Sequence, residues 1–159
     1  MGVAGSGKST IARVIARSSG RMLVEGDDFH PPENIRKMSA GVALTDDDRR
    51  DWLDRIAHQL HGHASGVVVS CSALKRAYRD RLRAAAPGLR FVFLDITPEA
   101  ARERVLARSG SHFFPPSAVA NQFATLEDPS AEPGVLRLEG SLPAEEITAR
   151  ALAWAAVPT

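Results

Sequence analysis

Cysteine is nearly absent: Cys71 is the only one in 159 residues, so no disulfide can form within the chain. Long apolar runs are missing too, and none approaches the roughly 20 residues a membrane-spanning helix needs. Met1 is not followed by a basic segment leading into an apolar one, so no secretory signal is read. Neither sign of charge dominates, with 20 basic side chains against 19 acidic ones and a net charge of +1. That balance gives no electrostatic reason to expect nucleic acid or a membrane surface as partner. These absences set a cytoplasmic location as the expectation. Repeats and low-complexity tracts are also lacking. What remains is an ordinary globular composition, 44% hydrophobic and 25% charged, of a length that predicts one domain with a sizeable core.

Short β-branched apolar runs alternate with segments of helical period, which predicts an α/β fold with a parallel sheet covered by helices. The first helix runs from the turn at residues 7–8 to about residue 19, with Ile11, Val14 and Ile15 as one buried stripe. Residues 22–24 form a short strand, and Pro32 opens a second helix that stops at Gly41. Thr45 offers an N-cap to a long helix with an acidic first turn and Leu53, Ile56 and Leu60 on its inner face. Residues 67–71 read as a buried strand. A helix carrying Tyr78, Leu82 and several arginines follows, then a strand at 91–94 and a helix from Thr97 to about residue 107. Beyond a loop at 110–116 come a helix reaching about residue 126, a last strand at 135–138, and a closing helix over 143–155. Ile147, Ala151 and Trp154 face inward on that last helix.

Residues 2–9 read G-V-A-G-S-G-K-S, a full match to G-x-x-x-x-G-K-[ST]. Gly2, Gly5 and Gly7 let the loop turn its backbone N–H groups, those of Val3, Ala4 and Ser6 among them, toward phosphate oxygens. The N-terminus of the following helix, at Lys8, Ser9 and Thr10, adds partial positive charge. Lys8 is expected to reach the β- and γ-phosphates and the Ser9 hydroxyl to ligate Mg²⁺. A glycine-rich turn that merely precedes a helix is the plainer reading, and the complete motif weighs against it. One element is missing. A P-loop joins the carboxyl end of a strand to a helix, yet only Met1 precedes Gly2. A start placed at an internal methionine accounts for this. A chain truly lacking the strand would leave two strand edges unpaired, and is expected to be destabilised or inactive.

The segment after the next strand holds Glu25, Asp27, Asp28 and His30, where ligands gather in open α/β sheets. Asp27 is placed to accept the proton of an attacking hydroxyl or to hold it in line with the γ-phosphorus. Glu25 is a candidate for a water of the Mg²⁺ shell and His30 for a substrate hydrogen bond; an acidic turn with a surface histidine is the alternative. Asp46, Asp47 and Asp48 suit a helix N-terminus, and beside them Arg49, with Lys75 and Arg79, forms a scattered basic set able to neutralise a carboxylate. Each of these cations alone is as readily a solvated surface residue.

With these residues in view, the chain resembles the gluconokinase family, a branch of the small P-loop metabolite kinases that includes shikimate kinase. The resemblance rests on GVAGSGKST, GDDFHPPENIRKMSAGVALTDDDRRDWL, CSALKRAYRDRLR and HFFPPSAVANQFATLEDP, which span the chain from Gly2 to about Pro129. It implies a three-layer α/β/α fold of nucleoside-monophosphate-kinase type over residues 1–159, with a lid over about 108–126. It also implies ATP- and Mg²⁺-dependent phosphorylation of gluconate to 6-phosphogluconate, often by a homodimer. Asp27 would then be the base, and His30, Arg49, Lys75, Arg79 and Gln122 candidates for the sugar-acid pocket. Arg104 and Arg108 would be lid arginines over the phosphates. Glu25 stands where relatives often carry Asp, and the lid around Ser109-Gly110-Ser111-His112 is one residue longer than usual. A kinase for another small acceptor, and a nucleotide-binding regulator without catalysis, stay open.

Overall fold

A computed structural model describes residues 1–63, 66–107 and 117–157. Helix α1 (Lys8–Ser19) leaves the glycine-rich turn and is followed by strand β1 (Met22–Glu25), a 3-10 turn (Gly26–Phe29) and helix α2 (Pro32–Ser39). Next come α3 (Asp46–His61), β2 (Val67–Ser70), α4 (Arg76–Ala85) and β3 (Phe91–Asp95). The chain closes with α5 (Pro98–Ala107), α6 (Ser117–Thr125), β4 (Val135–Glu139) and α7 (Ala144–Ala156). This is the α/β alternation that the hydrophobic pattern predicts. The 3-10 turn has no counterpart in it, because four residues are too few to display a period.

Local chemistry explains where α3 starts. The Asp48 N–H donates to the Thr45 hydroxyl (3.2 Å) and the Thr45 N–H to the Asp48 carboxylate (2.9 Å), a reciprocal cap of roughly 1 kcal/mol. Lys37 also donates to Asp48 (2.6 Å). Lys37 first, then the Thr45 amide and hydroxyl, hold that carboxyl down at about 2.

Among the described residues all strand pairing is parallel. Met22 to Glu25 of β1 lie beside Val67 to Ser70 of β2, and Phe91 to Asp95 of β3 beside Val135 to Glu139 of β4. The two pairs are not hydrogen-bonded to each other. Between β2 and β3 lies a cavity of about 750 Å³, walled by residues such as Val67, Val69, Phe91 and Val92. Two expectations change for this reason. β2 was read as buried, but Val67, Val68 and Val69 are only half-buried because one edge of the strand faces the cavity. On α1 the fully buried residues are Ile11, Ala12 and Ala16, whereas Val14 and Ile15 are half-buried, and Ile15 lines the same cavity.

Among the described residues, three apolar clusters make up the core. Trp52, Ile56, Tyr78, Leu82 and Phe91 join α3, α4 and β3. Val3, Leu74, Ile96, Ala101 and Val119 pack the glycine-rich loop against α5 and α6. Ile11, Leu94, Leu138, Ile147 and Ala151 fix α1 and α7 to β3 and β4. Burying one such side chain contributes about 1.5–3 kcal/mol. Among the described residues no helix is long and apolar enough to cross a membrane.

Candidate active site

The loop over residues 2–7 takes its shape from glycine. Gly5 (φ +81°) lies so close to α5 that a Cβ there would come 2.4 Å from the Ala101 carbonyl oxygen. Gly7 (φ +94°) faces the other way, with nothing within 4 Å of where a Cβ would stand, so the backbone there is open to a ligand. Lys8 folds back over the loop, its ammonium donating to the Val3 carbonyl oxygen (2.8 Å). The Ser6 hydroxyl is buried with no hydrogen-bond partner, an arrangement that a phosphate oxygen would satisfy. Open amides, a buried donor without an acceptor, a lysine and a helix N-terminus together fit a polyphosphate.

Two neighbours brace this loop. The Ala4 N–H donates to the Gln122 side-chain oxygen of α6 (2.6 Å). Arg104 of α5 donates to the carbonyl oxygens of Gly140 (2.9 Å) and Gly5 (3.4 Å). Gln122, expected in the sugar-acid pocket, is thus found on the phosphate loop. Arg104 stands beside that loop but spends these hydrogen bonds on carbonyl groups. Arg108, the segment 112–114 and the extra lid residue at 109–111 lie outside the described residues.

Oxygen ligands converge just beyond. The hydroxyls of Ser9 and Ser70 share a hydrogen bond (3.3 Å), and Ser70 is the register partner of Glu25. One Glu25 carboxylate oxygen is buried without a hydrogen bond, 3.7 Å from the Arg13 guanidinium. A hard cation such as Mg²⁺ accepts one or two protein oxygens of this kind beside phosphate and water. The donor set fits.

The acceptor side begins with the 3-10 turn. Asp27 is exposed within it. His30 is buried and stacked on Trp52, ring centroids 4.6 Å apart and nearly coplanar, while the Trp52 indole N–H donates to the Gly26 carbonyl (2.7 Å). Burial pulls the imidazole down to about 4, with Asp27 working against that and Arg49 adding to it. His30 is therefore a neutral hydrogen-bonding group at neutral pH, not the surface residue of the alternative reading. Arg49 lies over the Tyr78 ring (5.7 Å) and donates to its hydroxyl (3.4 Å). Lys75 grips both oxygens of Asp46 (2.8 and 2.9 Å), and Tyr78 donates to the same carboxylate. Lys75 and Tyr78 hold the Asp46 carboxyl below its ordinary range. Burial first, then Asp46, pushes the Tyr78 phenol up to about 12.

Shared neighbours tie the two sides together. Burial raises the Cys71 thiol to about 12, and both Asp27 and Lys8 lie close enough to act on it by charge. Asp27 and Arg49 both act on His30. The Ser9–Ser70 contact and the Glu25–Ser70 register put the head of α1 beside the end of β1, so phosphate loop and acidic turn share one neighbourhood.

Arg79 does not join it. Its side chain is 0% exposed, with Nε donating to both Glu132 oxygens (3.1 and 3.0 Å), Nη1 to the carbonyls of Ala73 and Leu74, and Nη2 to the carbonyl of Glu127 and to the Glu132 carboxylate. No donor is left for a substrate carboxylate, so the expectation for Arg79 is corrected to that of a structural tie from α4 to the segment around residue 132. Tyr78, which links Arg49, Lys75 and Asp46, is named in the sequence reading only as a residue carried by this helix. Its place one turn after Lys75, the residue that caps α4, was the available signal.

A glycine-rich phosphate loop at the head of a helix, with an acidic turn at the end of the neighbouring strand, defines a P-loop fold of the phosphoryl-transfer type. A family model described as an AAA domain matches residues 1–129. The chain is 43% identical over 145 residues to a gluconokinase of Gluconobacter oxydans (strain 621H), covering 88% of this chain and 80% of that one. With the thermoresistant gluconokinase of Escherichia coli (strain K12) it shares 39% over 153 residues, covering 94% and 87%. The crystal structure of a gluconokinase from Sinorhizobium meliloti 1021 superposes with a TM-score of 0.89 at 51% identity, covering 98% of this chain and 89% of that chain. The chain belongs to the gluconokinase family.

Proposed function

We propose that this chain transfers the γ-phosphoryl group of ATP to a hydroxyl of D-gluconate, giving 6-phospho-D-gluconate and ADP. What supports this reading is a complete phosphate loop whose helix meets the end of β1 through the Ser9 and Ser70 hydroxyls (3.3 Å), where the turn carrying Asp27 begins. A triphosphate gripped by the loop would thus meet a base. In the proposed step a bond forms between the hydroxyl oxygen of the sugar acid and the γ-phosphorus. The bond to the bridging oxygen breaks, ADP leaves with the electron pair, and Asp27 takes the hydroxyl proton. Lys8 and the amides of residues 4–9 balance charge on the phosphate oxygens. Mg²⁺, held by Ser9 and through water by Glu25, would supply the remaining neutralisation. Neutral His30 hydrogen-bonds a sugar hydroxyl, and Arg49 with Lys75 receives the carboxylate. Arg104 and Arg108 belong in this reading to a lid over about residues 108–126 of one domain.

Release of ADP, measured in parallel with gluconate, other sugar acids and shikimate, tests the proposal. Turnover with gluconate is expected to stand far above the rest. Equal rates with shikimate would move the chain to another acceptor, and no stimulation by any acceptor would make it a nucleotide-binding regulator.

A further inference from the structure

Asn34, the third residue of α2, is buried, and a buried amide side chain must find hydrogen-bond partners. Its partners come from two directions. Nδ2 donates to the Asp48 carbonyl in the first turn of α3 (2.7 Å) and lies 3.5 Å from Nδ1 of His30.

A backbone carbonyl can only accept, so the atom facing Asp48 is the amide nitrogen. A flipped side chain would set two oxygens against each other at 2.7 Å. The same nitrogen has a second N–H for Nδ1, which makes Nδ1 the bare, accepting nitrogen of the ring. Burial holds the imidazole down at about 4, so at neutral pH the ring carries one proton. That proton belongs on Nε2.

Two residues hold the ring in this state. Trp52 fixes its plane, with centroids 4.6 Å apart and ring planes 8° apart, and the Trp52 indole is itself tied to the Gly26 carbonyl. Asn34 fixes which edge faces α2, because turning the ring over would keep the stack but set a carbon against the amide N–H. Asp48 and Trp52 are one turn apart on α3. One helix thus supports the face of the ring directly and its edge through Asn34. Among the described residues nothing accepts from Nε2 at the other edge, and Nε2 is not one of the sealed atoms left without a partner, so it opens outward.

We propose that Asn34 is a positioning residue that fixes His30 in one tautomer, Nδ1 bare and Nε2 protonated, so that the ring offers the substrate a donor and no acceptor. This rests on the reading of His30 as a contact of the sugar acid. His30 then holds a lone pair of a hydroxyl or carboxylate oxygen and has no free lone pair of its own to take the hydroxyl proton. Asp27, which acts on His30 by charge, is left as the base.

Nitrogen NMR of the whole chain labelled at histidine, at neutral pH and without ligand, reads the two ring nitrogens of His30, assigned by their loss in His30→Gln. The parent is expected to show a bare Nδ1 and a protonated Nε2 in a single tautomer. Asn34→Asp, whose carboxylate can only accept, is expected to move a proton onto Nδ1, and Asn34→Ala to populate both tautomers. A proton on Nδ1 in the parent, or ring signals unchanged in both variants, would overturn the proposal. In the ADP-release assay Asn34→Ala is expected to raise KM for gluconate about tenfold with KM for ATP unchanged, and to add nothing in a His30→Gln background. An undiminished further rise in that background would make Asn34 a brace of α3 alone and would overturn the proposal as well. A chain that phosphorylates no sugar acid would sink the functional reading instead, and the nitrogen spectra, taken without substrate, would still decide the role of Asn34.

Discussion

The phosphate side of the site is built from backbone and the acceptor side from paired side chains, and the two differ in how much they constrain. On the phosphate side, Gly5 and Gly7 adopt left-handed conformations that few other residues tolerate, so sequence and shape correspond closely. On the acceptor side the same type of residue has opposite fates. Arg49 faces Tyr78 and acts on His30, while Arg79 is enclosed by carbonyls and Glu132. A cation's role there is set by its partners, which come from distant parts of the chain.

The largest effect expected on this contrast is at Arg79. Arg79→Met leaves Glu132 buried with fewer partners and is expected to cost about 3–5 kcal/mol of stability, measured by urea unfolding. KM for gluconate in the surviving folded protein should stay near the parent value. A selective rise in KM with full stability would return Arg79 to the pocket.

His30 comes next. Its folded value of about 4 lies below the ordinary 6.5, so the unfolded chain takes up the proton first as pH falls. The stability it contributes is whole above about pH 6.5 and is lost as pH drops toward 4, by roughly 3 kcal/mol at most. His30→Gln should therefore flatten only the part of the curve below about 6.5, as read from unfolding midpoints across pH.

Smaller effects sharpen the boundary between the two sides. Gln122→Ala removes the acceptor of the Ala4 N–H, a loss of about 1 kcal/mol. It is expected to raise KM for ATP about fivefold, with KM for gluconate nearly unchanged; the reverse split would place Gln122 with the sugar acid. Thr45→Ala removes the α3 cap and should lower stability by about 1 kcal/mol, visible as a small drop in Tm without change in either KM.

How far the sequence could be read follows the same division. Helix starts, the phosphate loop and the position of Asp27 after β1 are local features, written in glycine, proline, threonine and hydrophobic spacing. Partial exposure of Val67 to Val69 comes from the cavity beside them, and a strand's own residues do not report what lies along its edge. Arg79 had a readable sign in its place three residues before Leu82, on the buried stripe of α4. Its partner Glu132 lies 53 residues away and has none. Gln122 is similar: it meets Ala4 across 118 residues, through packing of α6 that no local pattern encodes.

Asp27→Asn bears most directly on the claim that a carboxylate after β1 works against a triphosphate held at Lys8. ATP binding by calorimetry and gluconate-stimulated ADP release should be measured on the same preparation. The account predicts unchanged nucleotide affinity with turnover reduced by about 10²–10⁴-fold. Near-normal turnover, with binding intact, would contradict it.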